Sequence, residues 1–361
     1  MPPNGAERRQ AALRGSLAAL ELEAMVVSGA ANIRYFTGFT GTSAQLLVTP
    51  HRTVLVTDFR YAAQAPAEVG HTAEVWVERT NVWDGLRQAI AIDRVGRVGV
   101  DRARTTLADF DQLKAADAEL VPVSNLVEPL RAVKDRTEVT AIREAAQLAT
   151  EALAAVQAGI RVGRTELEVA GDLEAELRRR GSEWHPFQPI VASGPRSALP
   201  HARSTNRPIQ AGDFLVMDFG AQVSGYCSDI TRTFVVGAKA DERQRATYEV
   251  VRKAQSRARD GLKAGLTGRE ADSLARDLIA GAGMGEAFGH SLGHGLGLEV
   301  HEAPRLSRTS ETVLAVGAVV TVEPGVYFEG WGGVRIEDDV VLLEDRAVCL
   351  SDGQTDLVEL T

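Results

Sequence analysis

The sequence predicts a two-domain protein: an α/β domain over residues 1–130, followed by an α+β domain over residues 131–361 that consists of two similar halves. Three observations support this prediction. Helical patterns alternate with short β-branched runs early in the chain, the pattern changes after a stretch punctuated by proline and valine near residue 130, and the later part contains an internal repeat. A chain of 361 residues is also long enough for two separate cores.

The first part of the chain is predicted to form α/β layers, because candidate strands and helices alternate along it. The candidate strands lie at residues 24–28, 45–49, 53–57, 73–77 and 97–100. Helical patterns cover residues 7–20, 82–93 and 104–116. A long amphipathic helix is then predicted from Asp135, because Asp135 and Glu138 have the spacing of a capping box and apolar residues follow along one face.

The second part of the chain repeats the pattern Gly-x-x-x-Gly-x-Thr-x-x-Glu. The first copy begins at Gly159 and the second at Gly261, an offset of 102 residues (261 − 159). The Thr and Glu of each copy have capping-box spacing, and Gly181 and Gly283 lie at the same offset where the two helices should end. We therefore expect two pseudo-equivalent halves, each with a helix pair and its own strands.

Each half also contains a predicted β-hairpin with two acidic residues. These acids are Asp218 and Asp229 in the first hairpin, and Glu323 and Glu337 in the second. A turn at residues 223–224 in the first hairpin, and one centred on Gly330 in the second, would place the two acids of each hairpin opposite each other. Directly opposed side chains have Cβ atoms about 4.5–5.5 Å apart. Both carboxylate pairs would then point at one place.

Four converging carboxylates need positive charge between them, because like charges repel and charged groups are almost never buried unpaired. Arg232 and Arg335 are nearby, so an ion-pair network is one explanation for each hairpin taken alone. For both hairpins together, two arginines supply too little charge. A carboxylate-rich cluster with an imidazole suits Mn²⁺, with Co²⁺ and Zn²⁺ as alternatives, and two bridged ions are a common hydrolytic arrangement.

The imidazole is predicted to come from a glycine-rich segment that contains His290, His294 and His301. Glycines on both sides of His294 allow a close approach of the backbone to a ligand. A further histidine, His201, follows Pro200, and its residue type alone favours a solvated loop position.

Composition and net charge bear on which partners and which cellular location are expected. The net charge of −9 disfavours a nucleic-acid or anionic-membrane partner. Residues 1–5 lack a hydrophobic signal core and no apolar run is long enough to span a bilayer, so we expect no membrane association. With only two cysteines, Cys227 and Cys349, a disulfide framework is implausible and a cytoplasmic location is expected.

Taken together, these segments resemble the pita-bread metallopeptidases, the family of methionine aminopeptidase, aminopeptidase P, prolidase and creatinase. The resemblance extends over essentially the whole chain and rests on residues 190–194, 200–201, 217–220, 225–233, 293–297, 321–325 and 333–338. It implies a creatinase/prolidase-like N-terminal domain over residues 1–130, and a catalytic pita-bread domain with an internal pseudo-twofold repeat over residues 131–361.

The resemblance also implies a site with two divalent metal ions. Its metal ligands would be Asp218, Asp229, His294, Glu323 and Glu337. Asp229 and Glu337 would bridge the ions, Asp218 would complete one ion, and His294 and Glu323 would complete the other. The two cations would lower the pKa of the attacking water.

The family's catalytic positions correspond to Glu323, His201, His290, His301 and Arg335. The resemblance implies that Glu323 accepts and donates the proton. His201 and His301 would hold the scissile region and the developing oxyanion, and His290 would line the substrate pocket. Arg335 corresponds to a structural arginine beside the metal site, and Tyr327 to a tyrosine linked to it, although a buried strand tyrosine is an alternative for Tyr327.

The implied activity is hydrolysis of the bond between an N-terminal residue and proline, as an Xaa-Pro dipeptidase (prolidase). An aminopeptidase P that acts on longer Xaa-Pro peptides is the alternative, and a non-catalytic peptide-binding protein is disfavoured because all five ligands are present. Many prolidase-like sequences have Pro-His-Gly at this point, whereas this chain has Pro200-His201-Ala202, followed by Arg203. Arg203 could contact a substrate carboxylate, but a solvated loop arginine is favoured. A homodimer or higher homo-oligomer is expected from the family.

Overall fold

The computed structural model describes residues 5–361. The expectation of a missing signal core rests mostly on residues 1–4, which lie outside the described part. Among the described residues, no helix is both long and apolar enough to cross a membrane. The chain forms two compact units, of which the first ends at Arg131 and the second is Ala132–Thr361.

The first unit contains a six-stranded mixed sheet with helices around it. In chain order its strands are β1 Ala24–Val27, β2 Ala44–Val48, β3 Thr53–Asp58, β4 Glu74–Glu78, β5 Arg97–Asp101 and β6 Glu119–Val123. The spatial order is β4-β3-β2-β1-β5-β6. β1–β2 and β2–β3 are antiparallel pairs, and the other neighbours are parallel. The five predicted strands are confirmed to within one residue at each end.

The helices of this unit differ more from the prediction. They are α1 Gly5–Ala19, α2 Ala30–Thr37, α3 Gln64–Val69, α4 Val82–Ile92, α5 Leu107–Leu113 and α6 Glu128–Ala132. The predicted helix at 104–116 is shorter because a capping box at Thr106 and Asp109 sets its start. The prediction missed β6, where Pro122 occupies an edge strand that tolerates the missing donor.

The first half of the second unit packs two helices against a four-stranded sheet. Its elements are α7 Arg136–Gln157, α8 Glu166–Arg179, β7 Ile190–Ser193, β8 Asp213–Phe219, β9 Gln222–Val223, β10 Tyr226–Cys227 and β11 Ile230–Val236. The sheet order is β19-β11-β8-β7, where β19 is the C-terminal strand Val358–Leu360. Apolar residues of α7 and α8 share one buried core with β7, β8 and β11.

The second half repeats this plan with a five-stranded sheet. Its elements are α9 Glu242–Gly261, α10 Gly268–Gly281, β12 Gly293–Gly295, β13 Glu302–Leu306, β14 Val319–Val322, β15 Gly325–Phe328, β16 Gly332–Arg335, β17 Asp338–Leu342 and β18 Ala347–Cys349. The sheet order is β13-β12-β14-β17-β18, and β15 and β16 form a separate ribbon. α9 and α10 bury their apolar faces against these strands.

The internal repeat is confirmed as structure. Thr165 caps α8 and Thr267 caps α10, and each forms a complete capping box with the glutamate three residues later. Asp135 and Glu138 form the predicted box at the start of α7. Gly181 and Gly283, just after α8 and α10, have positive φ angles of 104° and 78°, a region that glycine adopts without strain.

The register of the two acid hairpins is confirmed for the second and wrong for the first. In the second, Val322 pairs with Asp338 and Gly325 with Arg335, which centres the hairpin on Gly330 and sets Glu323 opposite Glu337. In the first, Asp218 pairs with Thr231 instead of Asp229. The turn lies one residue later than predicted, at residues 224–225, where both φ angles are positive. Asp229 lies two residues before Thr231, just outside β11.

Candidate metal centre and active site

The first hairpin provides two buried acids. Asp218 lies near the end of β8 with 8% of its surface exposed, and Asp229 lies in the short break between β10 and β11 with 5% exposed. The backbone N–H of Asp229 donates a hydrogen bond to Asp339 Oδ2 at 3.1 Å. The break removes Asp229 from the β8–β11 ladder, so its carboxylate can turn towards the second hairpin.

The second hairpin provides its acids at matching breaks. Glu323 lies between β14 and β15, and Glu337 lies between β16 and β17. A β-bridge links Thr231 to Glu337, in which Glu337 N–H donates to Thr231 O at 3.1 Å. The Thr231 hydroxyl donates to Glu337 Oε2 at 2.6 Å. This bridge joins the two halves of the second unit and brings both acid pairs into one cluster, as predicted.

His294 completes the cluster from the middle of β12. Its Nε2 lies 3.4 Å from Glu323 Oε1 and 3.7 Å from Asp229 Oδ2. Its Nδ1 lies 3.1 Å from Gly295 O, so the ring donates there and presents the Nε2 lone pair to the acids. Burial lowers the pKa of His294 to about 4, which favours the neutral ring that a metal ion requires.

The glycines beside His294 lie where no side chain would fit. A Cβ atom at Gly293 would lie 2.0 Å from Thr321 O, and one at Gly295 would lie 2.1 Å from Ala303 O. The close approach that these glycines allow is to the backbone of the neighbouring strands. Glycine allows β12 to fit between β13 and β14 with His294 turned towards the acids.

An ion-pair network does not neutralise this cluster. Arg232 pairs with Asp338 at 2.7 Å, outside the five predicted ligands. Arg335 pairs with Asp218 at 2.5 Å, but its Nε lies 4.0 Å from Glu337 Oε2. Only one of the two arginines therefore offers its charge to the predicted ligand acids, which leaves them with an excess of negative charge.

The electrostatics of the remaining acids reflect this excess. Burial, and next the carboxylate of Glu337, raise the pKa of Asp229 well above its usual range. Burial, followed by the charge of Glu323, likewise raises the pKa of Glu337. Burial raises the pKa of Glu323 to about 8. Each of these acids is destabilised in its charged form unless a cation lies among them.

The donor atoms fit divalent metal ions. Asp229, His294 and Glu337 each present one ligand atom, and these atoms lie within 4.8 Å of one another. Oδ1 of Asp218 and Oδ1 of Asp229 are buried and have no hydrogen-bond partner among the described residues. Free carboxylate oxygens beside a neutral imidazole are the donors that Mn²⁺, Co²⁺ or Zn²⁺ bind.

A cavity of about 590 Å³ opens beside this cluster. All five predicted ligands line it, together with the predicted catalytic residues His201, His290, His301 and Arg335. Its apolar wall consists of Phe187, Pro189, Ile190, Pro200, Ala202 and Val300. A pocket with one apolar wall and a few converging polar groups is typical of a small-molecule site.

Arg335 and Tyr327 connect the cluster to the pocket. The buried guanidinium of Arg335 donates to Asp218, to Tyr327 OH at 2.8 Å and to Pro200 O at 3.2 Å. Tyr327 OH also lies 3.0 Å from His290 Nε2. The predicted link between Tyr327 and Arg335 is therefore confirmed. Arg335 holds Asp218 in place, which makes it a positioning residue.

The three pocket histidines differ in exposure. His201 and His301 are exposed at the cavity surface, whereas His290 is half-buried between Phe288 and Tyr327. Burial lowers the pKa of His290 to about 4, and burial together with Arg305 lowers that of His301. Neutral rings at His290 and His301 can donate or accept a hydrogen bond without adding charge to the pocket.

Two arginines also line the cavity, and the sequence prediction undervalued both. Arg203 is exposed, as the favoured solvated-loop interpretation expects, yet it lies on the cavity wall beside His201. Arg305 was missed entirely. It lies in β13 directly opposite His294 in the ladder, so the pairing of β12 with β13 was the signal that would have identified it.

A buried cluster of carboxylates around one imidazole, beside a cavity in a duplicated α+β unit, defines the class of metal-dependent hydrolases. Comparison with known proteins gives the family. Residues 140–344 match metallopeptidase family M24, and residues 9–133 match the creatinase/prolidase N-terminal domain. The chain belongs to metallopeptidase family M24, whose members use divalent metal ions.

Individual relatives agree with this assignment. The chain is 44% identical to the Xaa-Pro dipeptidase of Pyrococcus furiosus over 66% of this chain and 69% of that protein. A solved Xaa-Pro dipeptidase from Bacillus anthracis is 40% identical and superposes with a TM-score of 0.95 over 98% of this chain and 100% of the other. A solved X-Pro aminopeptidase from Thermotoga maritima is 35% identical, with a TM-score of 0.91 over 97% and 99% of the two chains.

Proposed function

We propose that this protein is an Xaa-Pro dipeptidase that requires two divalent metal ions. Asp218, Asp229, His294, Glu323 and Glu337 would hold the ions, with Asp229 and Glu337 shared between them. Support for the ligand set comes from the excess of buried acid and from the two unpartnered carboxylate oxygens. Support for the substrate class comes from relatives that are named Xaa-Pro dipeptidases.

The observation that favours a dipeptide over a longer substrate is the pair of arginines in the cavity. Arg203 and Arg305 line the same cavity of about 590 Å³ as the acid cluster. A dipeptide has its free carboxylate one residue beyond the scissile bond, and arginine binds carboxylates with charge-assisted, often bidentate hydrogen bonds. A longer peptide continues where that carboxylate would lie, and leaves the arginines without an anion.

The roles of the residues follow from their positions. When bound, the two ions lower the pKa of water and so supply the nucleophile. Glu323 lies on the cavity wall, with Oε1 held by the Thr321 hydroxyl at 3.2 Å, and its carboxylate takes the proton and returns it to the leaving proline nitrogen. His201 and His301 lie at the cavity surface to donate to the scissile carbonyl as negative charge develops.

Proline suits such a site for a chemical reason. A tertiary Xaa-Pro amide has no N–H, so peptidases that rely on hydrogen bonding at the scissile amide nitrogen handle it poorly. This pocket presents imidazoles and an apolar wall, formed in part by Phe187 and Ile190, which can contact the proline ring without needing that donor.

The decisive experiment compares Ala-Pro, Ala-Pro-Ala and Ala-Ala as substrates for the apoprotein and the Mn²⁺-loaded protein. We expect Ala-Pro to be cleaved far faster than Ala-Ala, Ala-Pro-Ala to be a poor substrate, and the apoprotein to be inactive. Equal or faster cleavage of Ala-Pro-Ala would identify an aminopeptidase P, the activity named for the Thermotoga maritima structure. Cleavage of neither proline substrate would remove the proline assignment and leave a metal-dependent hydrolase of another substrate.

Three finer assignments belong to the same proposal. Mn²⁺ is proposed as the working metal, with Co²⁺ or Zn²⁺ as substitutes, since oxygen-rich sites with one imidazole accept all three. The protein is proposed to act in the cytoplasm, in keeping with two free cysteines, Cys227 and Cys349. It is also proposed to form a homodimer or higher homo-oligomer. Light scattering of the purified protein would test the last point.

A further inference from the structure

One buried carboxylate outside the metal cluster lies beside the loop that carries His201. Glu166 is the first residue of α8, and it is completely buried. Glu166 is not among the predicted site residues, because an acid in the first turn of a helix is ordinarily explained by the helix dipole. Its hydrogen bonds point to a different role.

Both ends of the loop from Ser193 to Thr205 are attached to this one carboxylate. Glu166 Oε1 accepts from the backbone N–H of Ser193 at 2.8 Å and from its hydroxyl at 2.9 Å. Glu166 Oε2 accepts from the backbone N–H of Thr205 at 3.0 Å and from its hydroxyl at 2.8 Å. His201 lies between these two anchor points.

Arg196 extends the same contact into the loop. Its Nε lies 3.1 Å from Glu166 Oε2, and its Nη2 donates to the carbonyl of Arg203 at 2.5 Å. Arg203 lies two residues after His201 on the cavity wall. The carboxylate therefore fixes the start and end of the loop, and through Arg196 the segment that immediately follows His201.

The second half of the unit has no carboxylate at the equivalent position. Gly268, at the start of α10, takes the place of Glu166 at the repeat offset of 102. The backbone contacts are repeated, since Glu166 N–H donates to Arg207 O and Gly268 N–H donates to Thr312 O. A Cβ atom at Gly268 would lie 2.2 Å from Arg305 O, so no carboxylate fits there.

We infer that Glu166 is a positioning residue that holds His201 in its catalytic place through the loop from Ser193 to Thr205. This inference rests on the proposed function, in which His201 donates to the scissile carbonyl. A carboxylate is required because each of its oxygens accepts from a backbone N–H, and the amide nitrogen of a glutamine would oppose one of these two donors.

The test is a double-mutant cycle between Glu166→Gln and His201→Ala, assayed as kcat for Ala-Pro with Mn²⁺, so that any effect on KM through Arg203 does not enter. Displacement of a catalytic group by about 1 Å costs about 100-fold in rate, so we expect a loss of that order for Glu166→Gln. Because Glu166 acts through His201, its effect should nearly vanish when His201 is already alanine. Losses that multiply independently would overturn the inference.

Leu173→Ala is the matched control. Leu173 lies in the same helix and is fully buried in its core, but it is not among the residues that hold the loop. This variant should unfold at a lower temperature yet keep its kcat, and any loss should multiply independently with His201→Ala. If Glu166→Gln behaved in the same way, Glu166 would be a purely structural residue.

A second variant and the wild-type assay separate a failure of this inference from a folding defect and from a failure of the proposed function. If Glu166→Gln fails to fold, the cycle is repeated with Arg196→Met, which leaves the four donors on Glu166 intact and should also be non-additive with His201→Ala. The wild-type assay separates this inference from the proposed function. An inactive wild type refutes the proposed function, whereas an active wild type with independent losses refutes only the role of Glu166.

Discussion

The two acid hairpins of the second unit occupy equivalent places but hold their carboxylates differently. In the first, Asp218 is fixed by Arg335 at 2.5 Å. In the second, Glu337 accepts from the Thr231 hydroxyl at 2.6 Å, whereas Glu323 accepts from the Thr321 hydroxyl at the longer distance of 3.2 Å. Among the acids that have a side-chain hydrogen bond, Glu323 is held by the longest contact, which fits its proposed second task of proton transfer.

The largest expected effect comes from the acids proposed to be shared between the ions. Asp229→Asn or Glu337→Gln should remove bound metal and lower kcat/KM by more than about 100-fold, because loss of mere outer-shell partners already costs about 10- to 100-fold in affinity or activity. Metal analysis of the purified variants, together with the Ala-Pro assay, measures both quantities. If the halves contribute equally, the two variants should behave alike.

Asp338→Asn is the control for these variants. Asp338 is as deeply buried and lies next to Glu337, but it pairs with Arg232 instead of facing the cavity. This variant should lose stability while it keeps its metal content. Full metal occupancy and normal turnover in Asp229→Asn or Glu337→Gln would show that the proposed shared ligands are wrong.

The next effect concerns the pocket histidine of the second half. His301→Ala should lower kcat by more than about tenfold, because loss of a donor to the developing oxyanion typically costs about 10²- to 10³-fold in kcat. The variant should still bind two metal ions, since His301 is not among the proposed ligands. Steady-state kinetics and metal analysis on one preparation give both values, and wild-type kinetics would reduce His301 to a solvated residue.

The sequence predicted the acids and histidines of this site better than its arginines. Asp218 and Glu323 stand out because a charge that follows an apolar run needs an explanation, and Asp229 and Glu337 stand out as their hairpin partners. Arg305 does not stand out, because an exposed arginine in a strand has many ordinary explanations. Its significance arises only from the pairing of β12 with β13, which places it opposite His294.

The register of the first hairpin shows a second limit. Residues 223–225 offer several adjacent turn positions, and one residue of difference in the turn moves the partner of Asp218 by two residues. Positive φ angles at Ser224 and Gly225 decide the outcome, and serine only weakly predicts such a conformation. Gly330 left less choice in the second hairpin, where the predicted centre was confirmed.

The two cavity arginines give the next prediction. Arg305→Met should raise KM for Ala-Pro about 10- to 100-fold, because a charge-assisted hydrogen bond contributes about 1.5–3 kcal/mol. Cleavage of Ala-Pro amide, which has no carboxylate, should change little. Arg203→Met is the paired variant from the first half. If both arginines bind the carboxylate, both variants should lose the preference for the free acid, and an unchanged preference in both would remove the dipeptide argument.

The smallest expected effect compares the two helix caps that the repeat makes equivalent. Thr165 accepts from Glu168 N–H and Thr267 accepts from Glu270 N–H, each at 3.2 Å. Thr165→Ala and Thr267→Ala should each lower the free energy of unfolding by about 1 kcal/mol, the usual cost of losing an N-cap. In a unit of this size such a change corresponds to a fall in Tm of about 2–4 °C.

Ser273→Ala in α10 is the control for the caps, since its exposed hydroxyl bonds only to the carbonyl of Arg269 one turn earlier. A surface change of this kind should stay within about 0.5 kcal/mol of the wild type. Thermal unfolding of the three variants tests whether the two equivalent caps contribute the same free energy of unfolding. The sequence pattern and the 3.2 Å N-cap distance are the same in both caps. A large cost for one cap and none for the other would therefore mean that tertiary packing, and not the capping box, determines where α8 and α10 begin.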